Sequence, residues 1–335
     1  LLLLFYTHTE DAVELSFFFE NFKHFNLDIR SNGVNEMGLV KRVIISIVLI
    51  LLIYIGYVGY AVMTLQPQGR AEWGYVDKNS TEVWITLNLG KPLLVPFNVK
   101  SLSIKLENIP FIKVERFEYH ATDKFLKMVI AIDNKKMIQA LVAYLNNGNK
   151  GNIEIDFSGQ ALGVIPIKYS AEEPINVNPL EYINLTAKSE EIGPFLTPAI
   201  IGSKNVWGGV EGNKAVIYTY LKMYNPNSVP IPVTGISFKL YMNDIQVGEG
   251  KIAETVIVPA KGYATAKVKT EINLDSLPEV WVKHIKQGEA SIVKAEIYLN
   301  ITAGQFKYTH KLRAVEKKIE TNIMGDINDI LTSLR

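Results

Sequence analysis

WGGVEGNKAVIYTYLKMYNPNSVPIPVTGISFKL, residues 207–240, carries the reading of the fold. From Ile217 onward the residues alternate. Ile217, Thr219, Leu221 and Met223 fall on one side of an extended chain, and Tyr218, Tyr220 and Tyr224 on the other. Successive side chains of a strand point to opposite faces, so this pattern specifies a strand with one face in a core and one in water. Asn225, Pro226 and Asn227 end it, because Pro presets a turn angle and Asn can bond its own backbone. Pro230 and Pro232 lack the N–H that a ladder needs, so this segment has to follow an edge or a bulge. Such a segment also denies neighbouring chains a sticky edge. Ile236, Phe238 and Leu240 then resume the alternation. Clean alternation marks an antiparallel sheet that is wet on one side, not a parallel sheet buried on both.

The chain holds this text twice. Residues 73–106 align with 207–240 without a gap, at an offset of 134, and twelve of these 34 positions are identical. Trp73, Gly74, Val76 and Asn79 recur as Trp207, Gly208, Val210 and Asn213; Pro92 and Pro96 recur as Pro226 and Pro230. In the first copy Val83, Ile85, Leu87 and Leu89 oppose Trp84, and Leu102, Ile104 and Leu106 oppose Ser101, Ser103 and Lys105. Gly90-Lys91-Pro92 stands where the second copy has Tyr224-Asn225-Pro226. The match resumes at Ile132/Ile272, Val142/Val282 and Gly148/Gly288, now at an offset of 140, and a lengthened hairpin is the least costly place for the six extra residues. Solenoid repeats run about 20–50 residues, so a period this long means duplicated domains.

Further strands are predicted at 112–120, 126–132, 152–158 and 164–169, and at 244–249, 253–258, 263–272, 291–301 and 305–312. Each copy has one short helix. In the second, Ser276 and Glu279 have the spacing of a capping box, and Pro278 sits in the first turn. Leu277, Val280, Trp281, His284 and Ile285 share a face, and Gly288 is placed for the left-handed C-terminal position. Met137, Leu141, Tyr144, Leu145 and Gly148 repeat that pattern. The expected architecture is mainly β: two tandem antiparallel β-sandwiches of immunoglobulin- or fibronectin-like type, each with one short helix, after a single N-terminal transmembrane helix. The first sandwich spans 71–170 and the second 205–313. A proline-rich acidic linker at 171–204 joins them, with an added strand near Thr197–Ile201. Val315, Ile319, Ile323, Ile327, Ile330 and Leu334 make 314–335 an amphipathic C-terminal helix, which packs on its own domain or serves a partner or membrane surface.

No charged residue lies between Val43 and Leu65, a run of 23 against the roughly 20 that cross a bilayer as a helix. Lys41 and Arg42 precede it and a long chain follows, which favours a single-pass anchor with a cytoplasmic N-terminus and the domains outside the cell membrane. A cleaved signal peptide is the alternative, against a run longer than the usual ~7–15 residues and no clean cleavage site. A buried core helix is the third reading, and it would not be apolar on every face. Residues 37–66 then form the anchor. Residues 1–36, with two basic and six acidic residues, read as a spurious or disordered extension ahead of Met37. There is no cysteine, which excludes disulfides, thiolate zinc sites and a thiol nucleophile. Beyond the span 31 basic residues stand against 28 acidic ones, which makes no case for nucleic acid. Asn79, Asn184 and Asn300 head glycosylation triplets, all beyond the span.

The strand ending in Asn225-Pro226-Asn227, the Val229-Pro230-Ile231-Pro232 run and the Ile236-Ser237-Phe238 strand resemble the water-stress-and-hypersensitive-response domain, the type 2 late embryogenesis abundant family. Trp281-Val282-Lys283-His284-Ile285 through Gly288-Glu289 resembles archaeal membrane-anchored members. The likeness covers the second copy and, more weakly, the first, whose Lys91 departs from the family asparagine. It does not reach residues 1–66 or the tail. It implies a compact sandwich, a link to desiccation or stress tolerance, and neither enzymatic activity nor a cofactor.

The sequence offers no catalytic, cofactor-binding or metal-binding residue. His8, His24, His120, His284 and His310 form no zinc spacing, and there is neither a nucleophile elbow nor a phosphate loop. Gly248-Glu249-Gly250-Lys251 reads as a hairpin turn. His120 with Asp123, and His284 with Glu289, could pair; each histidine reads first as a hydrogen-bonded residue at the core rim. Trp73 and Trp207 are expected to anchor the N-terminal segment of each domain in its own core, with ligand stacking as the rival. The function expected is a non-catalytic binding or protective module. A structural or interaction protein of the cell envelope is the first alternative. A surface hydrolase is the second, and it requires a polar pocket around His120 or His284.

Overall fold

The computed structural model describes residues 46–50, 53, 60, 64, 67–182, 185–252, 254–303, 306–312 and 315–333. The expected extension 1–36 and Asn184 lie outside them, as does most of the expected span 43–65. Of that span, 46–50, 53 and 60 are helical. Among the described residues no helix is long and apolar enough to cross a membrane.

The protein is mainly β, and among the described residues every ladder is antiparallel. The first sheet contains β1 (Gln68–Val76), β2 (Ser80–Asn88), β3 (Phe97–Leu106), β4 (Ile109–Glu118), β5 (Phe125–Asp133), β6 (Gly151–Ala161) and β7 (Ile165–Ile175). Their spatial order is β1-β2-β5-β4-β3-β6-β7. Helix α1 (Asn134–Asn146) follows β5. After a 3-10 turn at Pro179–Tyr182 and the small hairpin β8 (Glu191–Ile192) and β9 (Phe195–Leu196), a second sheet begins. It contains β10 (Ala199–Glu211), β11 (Lys214–Tyr224), β12 (Ile231–Met242), β13 (Ile245–Ile252), β14 (Val256–Val258), β15 (Tyr263–Asn273), β16 (Ala290–Ala303), β17 (Phe306–Lys311) and β18 (Val315–Glu320). Helix α2 (Leu277–Lys286) follows β15, and α3 (Ile323–Ser333) ends the described chain. The order β10-β11-β15-β13-β12-β16-β17 repeats that of the first sheet strand for strand.

The expected faces are found. Ile217, Thr219, Leu221 and Met223 are buried, while Tyr218, Tyr220 and Tyr224 are half-exposed; Val83, Ile85 and Leu89 are buried opposite exposed Trp84. Pro232 pairs only with β14, one residue before the bulge between Val233 and Gly235, as a residue without an N–H must. Gly148 and Gly288 both have φ +72° and close the two helices through equivalent bonds, Gly148 N–H to Leu145 O (3.1 Å) and Gly288 N–H to Ile285 O (3.0 Å).

Four expectations are corrected. Ser276 does not cap α2; its hydroxyl donates to Asn273 O at 2.7 Å, and the Asn273 side chain caps a preceding 3-10 turn through Asp275 N–H. The turn takes over because Asn273 ends β15 with an extended backbone, the geometry an N-cap needs. The tail 314–335 is not one helix. Val315–Glu320 pairs with the first half of β16, and only then does α3 form. Its charge-alternating Val-Glu-Lys-Lys-Ile-Glu suits an added strand as well as a helix. The extra residues of the second copy serve less as a longer hairpin than as the connection bearing β14, which folds back on β12. The segment 171–204 is built into the sheets: β7 runs to Ile175, β10 starts at Ala199, and Leu180 and Leu185 enter the second core.

Candidate functional site

Two buried polar constellations stand out. The first is built from Asn225-Pro226-Asn227. Asn225 is fully buried where β11 ends. Its amide donates to Val229 O (2.8 Å) and Val258 O (3.1 Å), and its carbonyl accepts from Asn227 N–H (2.9 Å) and the Asn227 amide (2.7 Å). Asn227 grips the backbone of Leu196 on both sides, accepting from its N–H at 2.9 Å and donating to its carbonyl at 2.7 Å. One tripeptide thus ties together the β11 terminus, β14 and the connecting segment. In the first copy Lys91 takes the place of Asn225, donates to Thr64 Oγ1 and lies 5.1 Å from the Tyr60 ring centroid.

The second constellation lies where α2, β16, α3 and β1 meet. His284 is buried between two hydroxyls, with Nδ1 2.9 Å from Ser291 Oγ and Nε2 2.9 Å from Thr321 Oγ1. Burial holds its pKa below the usual imidazole range, so the ring is neutral near pH 7. Glu289, only 7% exposed, accepts from Thr321 Oγ1 (3.2 Å), from the Ile323 and Met324 N–H groups that open α3, and from Trp73 Nε1 (3.1 Å). A carboxylate at a helix N-terminus is favoured by the unpaired N–H groups and the helix dipole. Trp281 stands edge-on to Trp73 at 6.3 Å and donates to Thr81 Oγ1 at 2.9 Å.

The tryptophans do not serve only their own copies. Trp73 packs on the first core, yet its N–H reaches Glu289 behind α2. Trp207 packs on the second core, yet its N–H donates to Asn146 Oδ1 (2.7 Å) at the end of α1. Leu145 of α1 lies in the second core, and Trp281 of α2 packs on the first. The junction is reciprocal. Nothing in a single copy's pattern announces it, because each indole meets its partner from the other copy.

This geometry does not build a catalytic triad. Glu289 reaches His284 only through the Thr321 hydroxyl, and Ser291 is 3% exposed, closed to substrate. An open groove of about 480 Å³ does lie at His120, lined by Glu118, Tyr119, Asp123, Lys124 and Phe125 among others. His120 is exposed there, and its tie to Asp123 is a backbone bond, Asp123 N–H to His120 O at 2.8 Å. A general base needs a positioned proton-transfer partner, and this pair does not supply one. Among the described residues no three His, Asp or Glu side chains gather as metal ligands. Of the remaining signature residues, Pro92 is half-exposed, Pro96 and Pro230 are exposed, and Asn79 sits exposed in the β1–β2 turn. Asn300 is exposed, and its Oδ1 accepts from Thr309 Oγ1 at 2.8 Å.

The fold and these sites define a mainly β antiparallel protein with a few short helices and buried polar junctions. Residues 220–317 match the family model described as late embryogenesis abundant protein. A crystal structure of a protein from Archaeoglobus fulgidus is similar at 26% identity, over 40% of this chain and 98% of that one, with a TM-score of 0.31. A solution structure of an Arabidopsis thaliana protein is similar at 17% identity, over 40% of this chain and 91% of that one, with a TM-score of 0.28. No curated protein matches.

Proposed function

We propose that this chain is a non-catalytic, membrane-anchored protein of the type 2 late embryogenesis abundant kind, of the archaeal type with two tandem copies. Its two β-sandwich domains stand outside the membrane and serve desiccation or stress tolerance through binding or protection. The observation that carries this reading is the family match over 220–317, which spans the Asn-Pro-Asn hub, α2 and His284 with Ser291 and Glu289. The repeated strand order supports a duplicated domain. The uncharged run 43–65 after Lys41-Arg42 supports the single-pass anchor with the N-terminus cytoplasmic. Carboxylates and lysines that pair across the outer faces, such as Lys105 with Asp156 (2.7 Å), leave a mixed-charge surface suited to solvation rather than nucleic acid.

The test dries a desiccation-sensitive enzyme with the purified full chain, against an equal mass of serum albumin. Retention of enzyme activity above the albumin control is expected. Equality with albumin would remove direct protection and favour a cell-envelope binding role.

A further inference from the structure

We propose that the end of the first sheet where the chain enters β1 rests in the lipid surface of the membrane. The inference rests on the anchored reading above and adds a second, folded contact to it. The registers place four features at one end of that sheet. Gln68 pairs with Asn88, Asn88 with Phe125, and Phe97 with Ala161. The entry of β1, the connections 89–96 and 119–124 and the hairpin 162–164 therefore lie together, opposite α1 and the second sheet. Exposed apolar side chains collect there. Val164 is 77% exposed and Leu94 47%, and Phe125, Ile165 and Ile167 are exposed as well. Lys91, Lys124, Lys127 and Lys168 lie among them, against Glu118 and Asp123. Apolar tips set beneath lysines that can reach the headgroups are the arrangement of an interfacial contact.

The second copy shows what this end looks like when protein covers it. Ile231, Val233 and Leu299 are no more than 2% exposed, because Ile192 and Phe195 of the connecting segment pack on that core and Asn227 holds Leu196. Their counterparts Phe97, Val99 and Phe157 are half-exposed. Among the described residues the second core gathers 24 buried side chains and the first only 11. The piece of chain that would correspond to the connecting segment is the uncharged run 43–65, of which Tyr60 and Thr64 contact Lys91 at this end. Committed to the bilayer, that run leaves the open end facing lipid rather than covered by protein.

The absence of cysteine makes the test direct. Full-length chains carrying Leu94→Cys, Val164→Cys, Lys78→Cys or Val48→Cys are spin-labelled and reconstituted in vesicles of phosphatidylcholine with phosphatidylglycerol. Collision with oxygen and with a water-soluble nickel chelate is then measured. Labels at 94 and 164 are expected to favour oxygen several-fold over the label at 78, which lies in the exposed turn at the far end. Labels at 94 and 164 as open to nickel as the one at 78 would overturn the proposal. So would labels reached by neither reagent, the result if residues 43–66 or a second copy cover this end. The label at 48 tests the anchor separately. Lipid exposure there with water exposure at 94 and 164 leaves the anchor standing and removes the contact; the reverse pattern keeps the contact and removes the anchor.

Discussion

Single residues decide how tightly the two ends of each copy close. Asn225, itself fully buried, satisfies two carbonyls, a backbone N–H and the Asn227 side-chain amide, so Asn225→Leu keeps the volume and removes a partner from all four groups. A loss of about 3 kcal/mol is expected, since each unsatisfied buried group costs ~1–3 kcal/mol. A denaturant midpoint unchanged from the parent chain would show the hub to be ornamental. His284 makes a second test. Burial lowers its pKa from 6.5, so the folded protein holds fewer protons on this ring than the unfolded chain. Its contribution is complete above pH 6.5 and is lost as pH falls from there through the folded value. The carboxylates held below their ordinary pKa, among them Asp77 and Glu271, act at lower pH, below 3.8 and 4.5. Thermal melts from pH 7 to pH 5 should therefore lose their slope in His284→Gln, and an unaltered slope would assign it elsewhere. The Asn-Pro-Asn turn was legible because Pro and Asn act on their own backbone. Its grip on Leu196 and Val258 was not, because those partners lie about thirty residues away.

At the scale of elements, α3 is the addition that the repeat does not predict. It lies against β1, where Asn328 accepts from Ala71 N–H at 2.7 Å and donates to Ala71 O at 3.1 Å. Met324, Ile327 and Leu331 pack on the first core. A helix laid along an edge strand is one of the ways proteins cover an unpaired ladder. Asn328→Ala should cost ~1–2 kcal/mol and strip exchange protection from the Ala71 amide, because both groups return to water together. Hydrogen exchange that leaves Ala71 protected would mean that apolar packing alone closes this edge. The amphipathic spacing through Ile323 and Ile327 announced a face to be buried, and Leu331, outside that expected set, joins it in the structure. The spacing did not say which, and the first sheet, not the adjoining second one, receives it.

For the whole molecule, the reciprocal tryptophans make the two sheets one body. Trp73 with Glu289, Trp281 with Thr81 and Trp207 with Asn146 all join residues from different copies. Replacing Trp73 and Trp281 together by Phe keeps apolar area and removes both indole donors. Calorimetry of the parent chain should then give a single transition, and the double variant two, with the smaller first core melting first. A parent chain that already melts in two separated steps would show that the junction does not couple the units.

What the sequence by itself determined is local. The period-2 alternation set strands, faces and the antiparallel class, because successive Cβ atoms must point opposite ways. The two registers of one text set two sheets of one strand order. Gly148 and Gly288 marked both helix ends, since their left-handed backbone is strained for other residues. Only the tertiary structure decided that each copy's tryptophan bonds the other copy's helix end, that α3 closes β1, and that the connecting segment seals one end of the second core. Those outcomes depend on residues far apart in the chain meeting in space, from 31 positions for Asn227 and Leu196 and 61 for Trp207 and Asn146 to 200 for Trp281 and Thr81 and 257 for Asn328 and Ala71. Local pattern fixes which face must be covered, and chain geometry over long range selects what covers it.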